Sequence, residues 1–283
     1  MLITSEIILL TKVHTPRISA SSYSNTAPLI WSFLYGSQHG SVEIILDNAP
    51  ARSAELLGQD RVDAALVPVI AYQVLDGVRL IPDVCVGAKE KVRSVALITR
   101  EMELSDVRSV SLDTSSKTSV VLTKILFREF LGFEPEWRDA DPDIDAMLEA
   151  SDCALLIGDP ALRIADRGSQ IADMNPKSYD LAELWRTHTG LGFVFAMWMT
   201  KRDACPIDFA AARDEGLGHL SEIVANYQAE IGLDTSELTQ YLSENISYAV
   251  DDSMRAGMEL YFDLAAKCGL IESARPINYL EQS

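Results

Sequence analysis

The chain has 283 residues, 48% hydrophobic and only 7% aromatic, which suits one large domain or two of ordinary size around an aliphatic core. Its formal net charge of −18 argues against nucleic acid and anionic membrane surfaces, since both reward Lys and Arg. It does not exclude a small anionic ligand, because a few oriented donors in a dry cleft outweigh a diffuse charge screened over ~8–10 Å.

Residues 1–16, MLITSEIILLTKVHTP, have no basic start, carry Glu6 in the apolar stretch and lack a small-residue cleavage site. They read as an extension before the first strand rather than a signal peptide. No run reaches the roughly 20 apolar residues of a membrane span. A strand is expected over 17–22, then a helix from about Thr26 with Pro28 in its first turn. VEIIL (42–46) reads as a strand, DNAP (47–50) as a turn into a helix through Leu57, and VDAALV (62–67) as a buried strand. Pro68 is expected to open the next helix, and 78–86 to form another strand. Such alternation implies βαβ units and a largely parallel sheet. VRSVALIT (92–99) and FVFAMWMT (193–200) read as two strands crossing between two lobes. Helical periodicity continues near 207–230, 235–244 and 251–268. In the last stretch Met254, Met258, Tyr261, Phe262 and Ala265 form a core stripe, with Gly269 as its C-cap.

One device occurs twice. RISASSYSNTAPLIWSFL (17–34) and RSVSLDTSSKTSVVLTKIL (108–126) each run from a β-type stretch through a Ser/Asn/Thr cluster into an apolar helix. Their sequels, DAALVPVIAY from Asp63 and DCALLIGDPAL from Asp152, match at nearly the same offset. Two similar α/β lobes follow, each presenting a polar helix start at the carboxyl edge of a sheet. Open α/β folds bind ligands at such edges, and helix N-termini favour negative charge.

The candidate residues lie at those turns. Ser24 and Thr26 read as helix caps, whereas the Asn25 amide, donor and acceptor at once, faces the ligand edge beside Tyr23. Asp113, Thr114, Ser115, Ser116, Lys117, Thr118 and Ser119 hold more donors than one cap needs, leaving at least one hydroxyl for a ligand. An anion at a helix start gains about 0.3–1 kcal/mol, and each hydrogen bond to it about 1.5–3 kcal/mol. Two or three such bonds hold a carboxylate without Arg or Lys, so Lys117 is optional. Ser94, in the first crossing strand, reads equally as a small buried hydroxyl and as a ligand contact. Gly158 permits close backbone approach, and Asp159 reads as an N-cap before Pro160. Cys85, Cys153, Cys205 and Cys268 are widely spaced, with no metal-ligand pattern, and suit a reducing cytoplasm. His14, His39, His188 and His219 belong to no triad or H-E-x-x-H motif, and no phosphate or dinucleotide loop is present. An enzyme of this sequence would work without metal or organic cofactor, by positioning and donors.

Five segments in order, YSNTAPL (23–29), VRSVALIT (92–99), DTSSKTSVVLTKIL (113–126), ALLIGDPAL (154–162) and YDLAELWRTHTGLGFVFAMW (179–198), resemble the chorismate dehydratase family of the futalosine route to menaquinone. NISYAVDDSMRAGMELYFDLAAKCGLI (245–271) also resembles that family's closing helices, so the likeness runs from about Arg17 to the C-terminus. It departs at Gly192, where the family usually has Pro. The resemblance implies an α/β, two-lobed, type-II periplasmic-binding-protein-like fold: two mixed, mostly parallel sheets flanked by helices, with a cleft between lobes. The expected division is 17–97 for the first lobe, 98–199 for the second, and 200–283 returning to the first. The implied reaction is loss of water from chorismate, a dianion, to give 3-[(1-carboxyvinyl)oxy]benzoate, with no cofactor or metal. Asn25 and Ser94 would be the catalytic residues, and Tyr23, Ser115, Thr118, Ser119, Gly158 and Asp159 would bind substrate. No nucleic acid or membrane partner is implied, and a homodimer stays open. Two alternatives stand. One is the sister 1,4-dihydroxy-6-naphthoate synthase, disfavoured because it usually begins with Cys-Pro-Asn-Asp where this chain has Tyr-Ser-Asn-Thr. The other is a non-catalytic binding protein for a small carboxylate.

Overall fold

The computed structural model describes residues 15–165 and 176–281. Most of the expected extension, with His14, lies outside the described residues. Two five-stranded sheets carry the fold. The first contains β1 (Arg17–Ser21), β2 (Glu43–Asp47), β3 (Ala64–Pro68), β4 (Arg79–Ala88) and β10 (Phe193–Thr200), in the order β2-β1-β3-β10-β4. The second contains β5 (Val95–Arg100), β6 (Ser109–Asp113), β7 (Glu136–Ala140), β8 (Cys153–Ile157) and β9 (Pro176–Asp180), in the order β7-β6-β8-β5-β9.

The two orders are one topology written twice. In each sheet the first three strands pair in parallel, and the fourth runs against both of its neighbours. The expected mixed, mostly parallel α/β architecture is therefore present. The sequence repeat has a physical counterpart at the strand starts. The Asp63 carboxylate accepts from the Arg17 backbone N–H at 2.8 Å, and Asp152 accepts from those of Arg108 and Ser109 at 2.9 and 3.0 Å. Central strands β3 and β8 are buried along their whole length, whereas edge strands β2 and β7 are largely exposed and carry charges that discourage further pairing.

Two expectations change. The runs at 92–99 and 193–200 are not crossing strands: β5 belongs wholly to the second sheet and β10 wholly to the first, and the crossings are the short connections before them. An apolar run reads the same in either sheet, so only pairing decides it. Pro68 does not open a helix. It closes β3 opposite Ala196, and the ladder continues when the Val69 N–H donates to Phe195 O at 2.9 Å.

Helices cover the sheets: α1 (Ala27–Leu34), α2 (Pro50–Gly58), the single turn α3 (Ala71–Val74), α4 (Lys117–Ile125), α5 (Ile144–Ala150), α6 (Gly158–Ala165) and α7 (Leu181–Thr189). The tail adds α8 (Phe209–Gly218), α9 (Leu220–Ile231), α10 (Thr235–Gln240) and α11 (Asp252–Lys267). On α11, Met254, Met258, Tyr261, Phe262 and Ala265 are all buried, and Gly269 ends the helix at positive φ, as its spacing predicted. Tyr261 also donates to Thr118 O at 3.0 Å, so this helix ties the two sheets together. Gly192 donates its N–H to Ser253 Oγ at 3.0 Å, a bond that Pro could not make. Among the described residues no helix is long and apolar enough to cross a membrane.

Candidate functional site

The carboxyl ends of β1 and β6 face each other across a cavity of about 50 Å³. Ser21, Tyr23, Asn25, Thr26, Ser116, Ser119 and Gly158 supply its polar wall, and Leu66, Val95, Ile157 and Phe195 are among its apolar lining. That combination of apolar body and a few convergent polar groups is the usual make-up of a small-molecule site. It is tight beside the engineered cavity of about 150 Å³ that binds benzene.

After β1 the chain makes one 3-10 turn, Ser24–Thr26, before α1. Thr26 and Ser21 share a hydroxyl–hydroxyl bond of 2.8 Å. Ser24 reaches the other sheet: its N–H donates to Asp159 Oδ2 at 3.1 Å and its hydroxyl to Oδ1 at 2.5 Å. Thr26 occupies the N-cap position of α1, as local preference had suggested, but its side chain makes no capping bond; Ser24 is not a cap of α1, and Asp159 is not the cap of α6. Instead Asp159 sits in the first turn of α6 as the acceptor of a bond between the lobes. With its neighbours engaged, half-buried Asn25 turns its amide to the cavity. Its Oδ1 has only a long bond, 3.4 Å, from Thr26 Oγ1.

After β6 the arrangement is local. The buried Asp113 carboxylate accepts from the Ser115 N–H at 3.0 Å, the Ser115 hydroxyl and the Ile157 N–H at 3.3 Å. Burial raises the Asp113 carboxyl above the usual carboxylate range, and these bonds oppose the rise. Ser116 caps α4 by accepting from the Ser119 N–H, while the Ser119 hydroxyl donates to Ser116 Oγ at 3.2 Å. Thr118 Oγ1 accepts from the Ile70 N–H at 3.2 Å, another bond between lobes.

The expected site residues thus separate into two groups. Tyr23, Asn25, Ser119 and Gly158 line the cavity. Ser94, Ser115, Thr118 and Asp159 stand behind that lining, and the last three already have partners for their side chains. Tyr23 crosses the cleft, its ring lying over Gly158 and its hydroxyl meeting Ser115. Gly158 is at φ +64°, and a Cβ there would lie 2.7 Å from the Tyr23 ring. Ser94 is fully buried after Arg93, which has φ +62°. The Ser94 carbonyl accepts from the Gly158 N–H at 2.7 Å, and its hydroxyl makes only a 3.4 Å bond to Val92 O.

Sequence reasoning named Ser116 only among the donors of its turn, and it missed Ser21 and Tyr241. Ser116 lines the cavity as well as capping its helix. Tyr241, read only as part of a helical tail, brings its hydroxyl to the Ser94 and Asn25 side chains. Nothing local marks that tertiary approach. Cys85 and Cys153 are buried free thiols whose pKa burial pushes up, which makes them inert packing residues. Among the described residues no group of three or more His, Cys, Asp or Glu side chains is placed to hold a metal ion.

Two lobes of like topology with a polar-lined cleft define a periplasmic-binding-protein-like fold. Solved structures agree: a protein from Archaeoglobus fulgidus (TM-score 0.67, 18% identity, 92% of this chain and 100% of that one) and the aliphatic sulphonate binding protein SsuA from Escherichia coli (TM-score 0.61, 16% identity, 95% and 94%). At such identities the likeness is one of fold. The sequence is more specific: residues 16–267 match the menaquinone biosynthesis family, and the chain belongs to that family. It is also 30% identical over 259 residues to the chorismate dehydratase of Thermus thermophilus, covering 84% of this chain and 91% of that protein.

Proposed function

We propose that this protein is a chorismate dehydratase, a cofactor-independent carbon–oxygen lyase acting in the cytoplasm. The observation that carries the reading is the near full-length likeness to the Thermus thermophilus enzyme. The cavity supports it, because hydroxyls, an amide and the start of α4 suit carboxylate groups.

Chorismate bears an ether oxygen on one ring carbon and a hydroxyl on the next. The C–H bond beside the ether breaks, its electrons form the new ring double bond, and the neighbouring C–O bond releases hydroxide. Proton and hydroxide leave as water, and aromaticity drives the step. Asn25 holds the departing hydroxyl or the ether side chain. Ser94, fully buried behind the lining here, anchors the reacting ring once the lobes part. Of the hydroxyls expected to receive a carboxylate, Ser119 is the one at the cavity wall, with Ser116 beside it, while Ser115 and Thr118 hold the turn and the lobe contact. Tyr23 and Gly158 shape the wall, and Asp159 ties the lobes. Among the described residues no carboxylate or imidazole side chain lines the cavity, and the substrate's own enolpyruvyl carboxylate serves as the base. Entry of a ring this size requires the lobes to part. The moving units follow sheet membership, with boundaries just before β5 and just before β10 rather than at 97/98 and 199/200.

The test is to incubate purified protein with chorismate alone and follow the product by ultraviolet absorbance and mass spectrometry. Loss of one water to an aromatic product, without added metal or nucleotide, is expected. Chorismate bound and returned unchanged would mean a receptor instead.

A further inference from the structure

The C-terminal helices contribute a side chain that the reaction as described above does not use. α10 begins with a capping box: the Asp234 N–H donates to Glu237 Oε2 at 3.0 Å, and the Glu237 N–H to Asp234 Oδ1 at 2.8 Å. It then widens into a π-type turn, Tyr241–Asn245, with the Ile246 N–H donating to Tyr241 O at 3.2 Å. Single π turns interrupt a helix at a cost and often sit at functional sites. Tyr241, the first residue of this one, is 0% exposed.

The Tyr241 hydroxyl lies close enough to the Ser94 and Asn25 side chains for both to lower its pKa, yet it is buried with no partner of good hydrogen-bond geometry. Buried hydroxyls without a partner are uncommon, and a tyrosine placed only to fill space would be better served by Phe. Tyr248 also has an unpaired hydroxyl, but it faces Tyr241 and Cys85 rather than the cavity group. Burial pushes the Tyr241 phenol well above its usual range, so it remains a donor at neutral pH. Asn25 and Ser94, for their part, have only weak bonds of 3.4 Å on their acceptor and donor atoms. Three groups with weak or no hydrogen-bond partners, from three segments of the chain, therefore lie near one another.

We infer that Tyr241 is a positioning residue of this site, its hydroxyl donating into the Asn25–Ser94 pair and fixing the direction in which the Asn25 amide faces the substrate. The inference rests on the proposed dehydratase reading for its kinetic consequence, but not for its geometry.

Tyr241→Phe removes one oxygen and keeps the ring. With chorismate as substrate, kcat is expected to fall about 10- to 100-fold with KM within about two-fold and no loss of thermal stability. In an Asn25→Ala background the same change should lower kcat no further. Unchanged kcat, or losses that multiply in the double variant, would overturn the inference while leaving the dehydratase reading intact. Should the unaltered protein leave chorismate untouched, the dehydratase reading fails, and a ligand-free signal decides the inference. The side-chain amide resonances of Asn25, in ¹⁵N-labelled protein, shift in Tyr241→Phe if Tyr241 orients that amide. They stay in place if it does not.

Discussion

The turn after β1 and the turn after β6 do the same work with different reach. In each, an aspartate collects the N–H and the hydroxyl of one serine. In the second turn that aspartate is Asp113, the last residue of β6, acting on Ser115 two residues on. In the first turn the matching strand end is Ser21, which has no carboxylate, and the acceptor for Ser24 comes from the other lobe as Asp159. A repeat can thus preserve a fold while exchanging a local contact for a remote one. The exchange makes the first turn sensitive to whether the lobes are together, and it is this turn that carries Asn25.

The largest test of that contrast is Asn25→Ala. Besides the inferred Tyr241 contact, its amide has one long bond, from Thr26, so folding should be little affected, while removal of the donor proposed to hold the departing hydroxyl should lower kcat by about 10²–10³. Steady-state rates with chorismate, beside a circular dichroism melt, check both halves. A variant that turns over at the normal rate would remove Asn25 from the chemistry.

Gly158→Ala comes next, because Gly158 joins the lobes by lying beneath Tyr23. A left-handed backbone costs an L-residue about 1–2 kcal/mol, and the new Cβ would be 2.7 Å from the Tyr23 ring. Loss of stability by denaturant titration, with weaker chorismate binding, is expected. Alanine there with neither effect would show that the two turns need not meet so closely.

The remote aspartate should also be visible in pH. Burial raises the Asp159 carboxyl above the usual carboxylate range, with the Ser24 bonds opposing. The unfolded chain then releases this proton first, at about pH 3.9. As pH rises from there through the folded value, the group's contribution to stability falls. Asp159→Asn keeps an acceptor for Ser24 but does not titrate, so its stability relative to the unaltered protein should rise across that window and level off above it. Thermal unfolding of both proteins from about pH 4 to 7 measures this, and a flat or falling difference would contradict it. The smallest effect is expected at Lys117, whose side chain is exposed outside the cavity lining. Lys117→Ala should change stability by less than about 0.5 kcal/mol and leave chorismate affinity nearly unchanged. A large loss would mean that charge, not hydroxyls, holds the carboxylate.

Much of this was legible in the amino-acid order. The Arg17/Asp63 and Arg108/Asp152 pairs marked the repeat because the same backbone clamp starts both sheets. The turns announced Tyr23, Asn25, Ser119 and Gly158 because residue types that cap helices also line ligand edges. What was hidden depended on distant chain. Ser24 and Thr26 looked like caps until Asp159 and Ser21 claimed their hydroxyls. Tyr241 carried no local sign of its approach to Ser94.

The exchange of fourth strands orders the birth of the molecule. The second sheet is assembled from β5 to β9, a continuous stretch that is complete once residue 180 has emerged from the ribosome. In the first sheet, among the described residues, β4 has no partner strand except β10, made more than a hundred residues later. During synthesis β3 and β4 therefore wait with open edges while the second lobe closes behind them. The half of the protein made first is the half finished last, and its open strand edges are where unwanted pairing would begin.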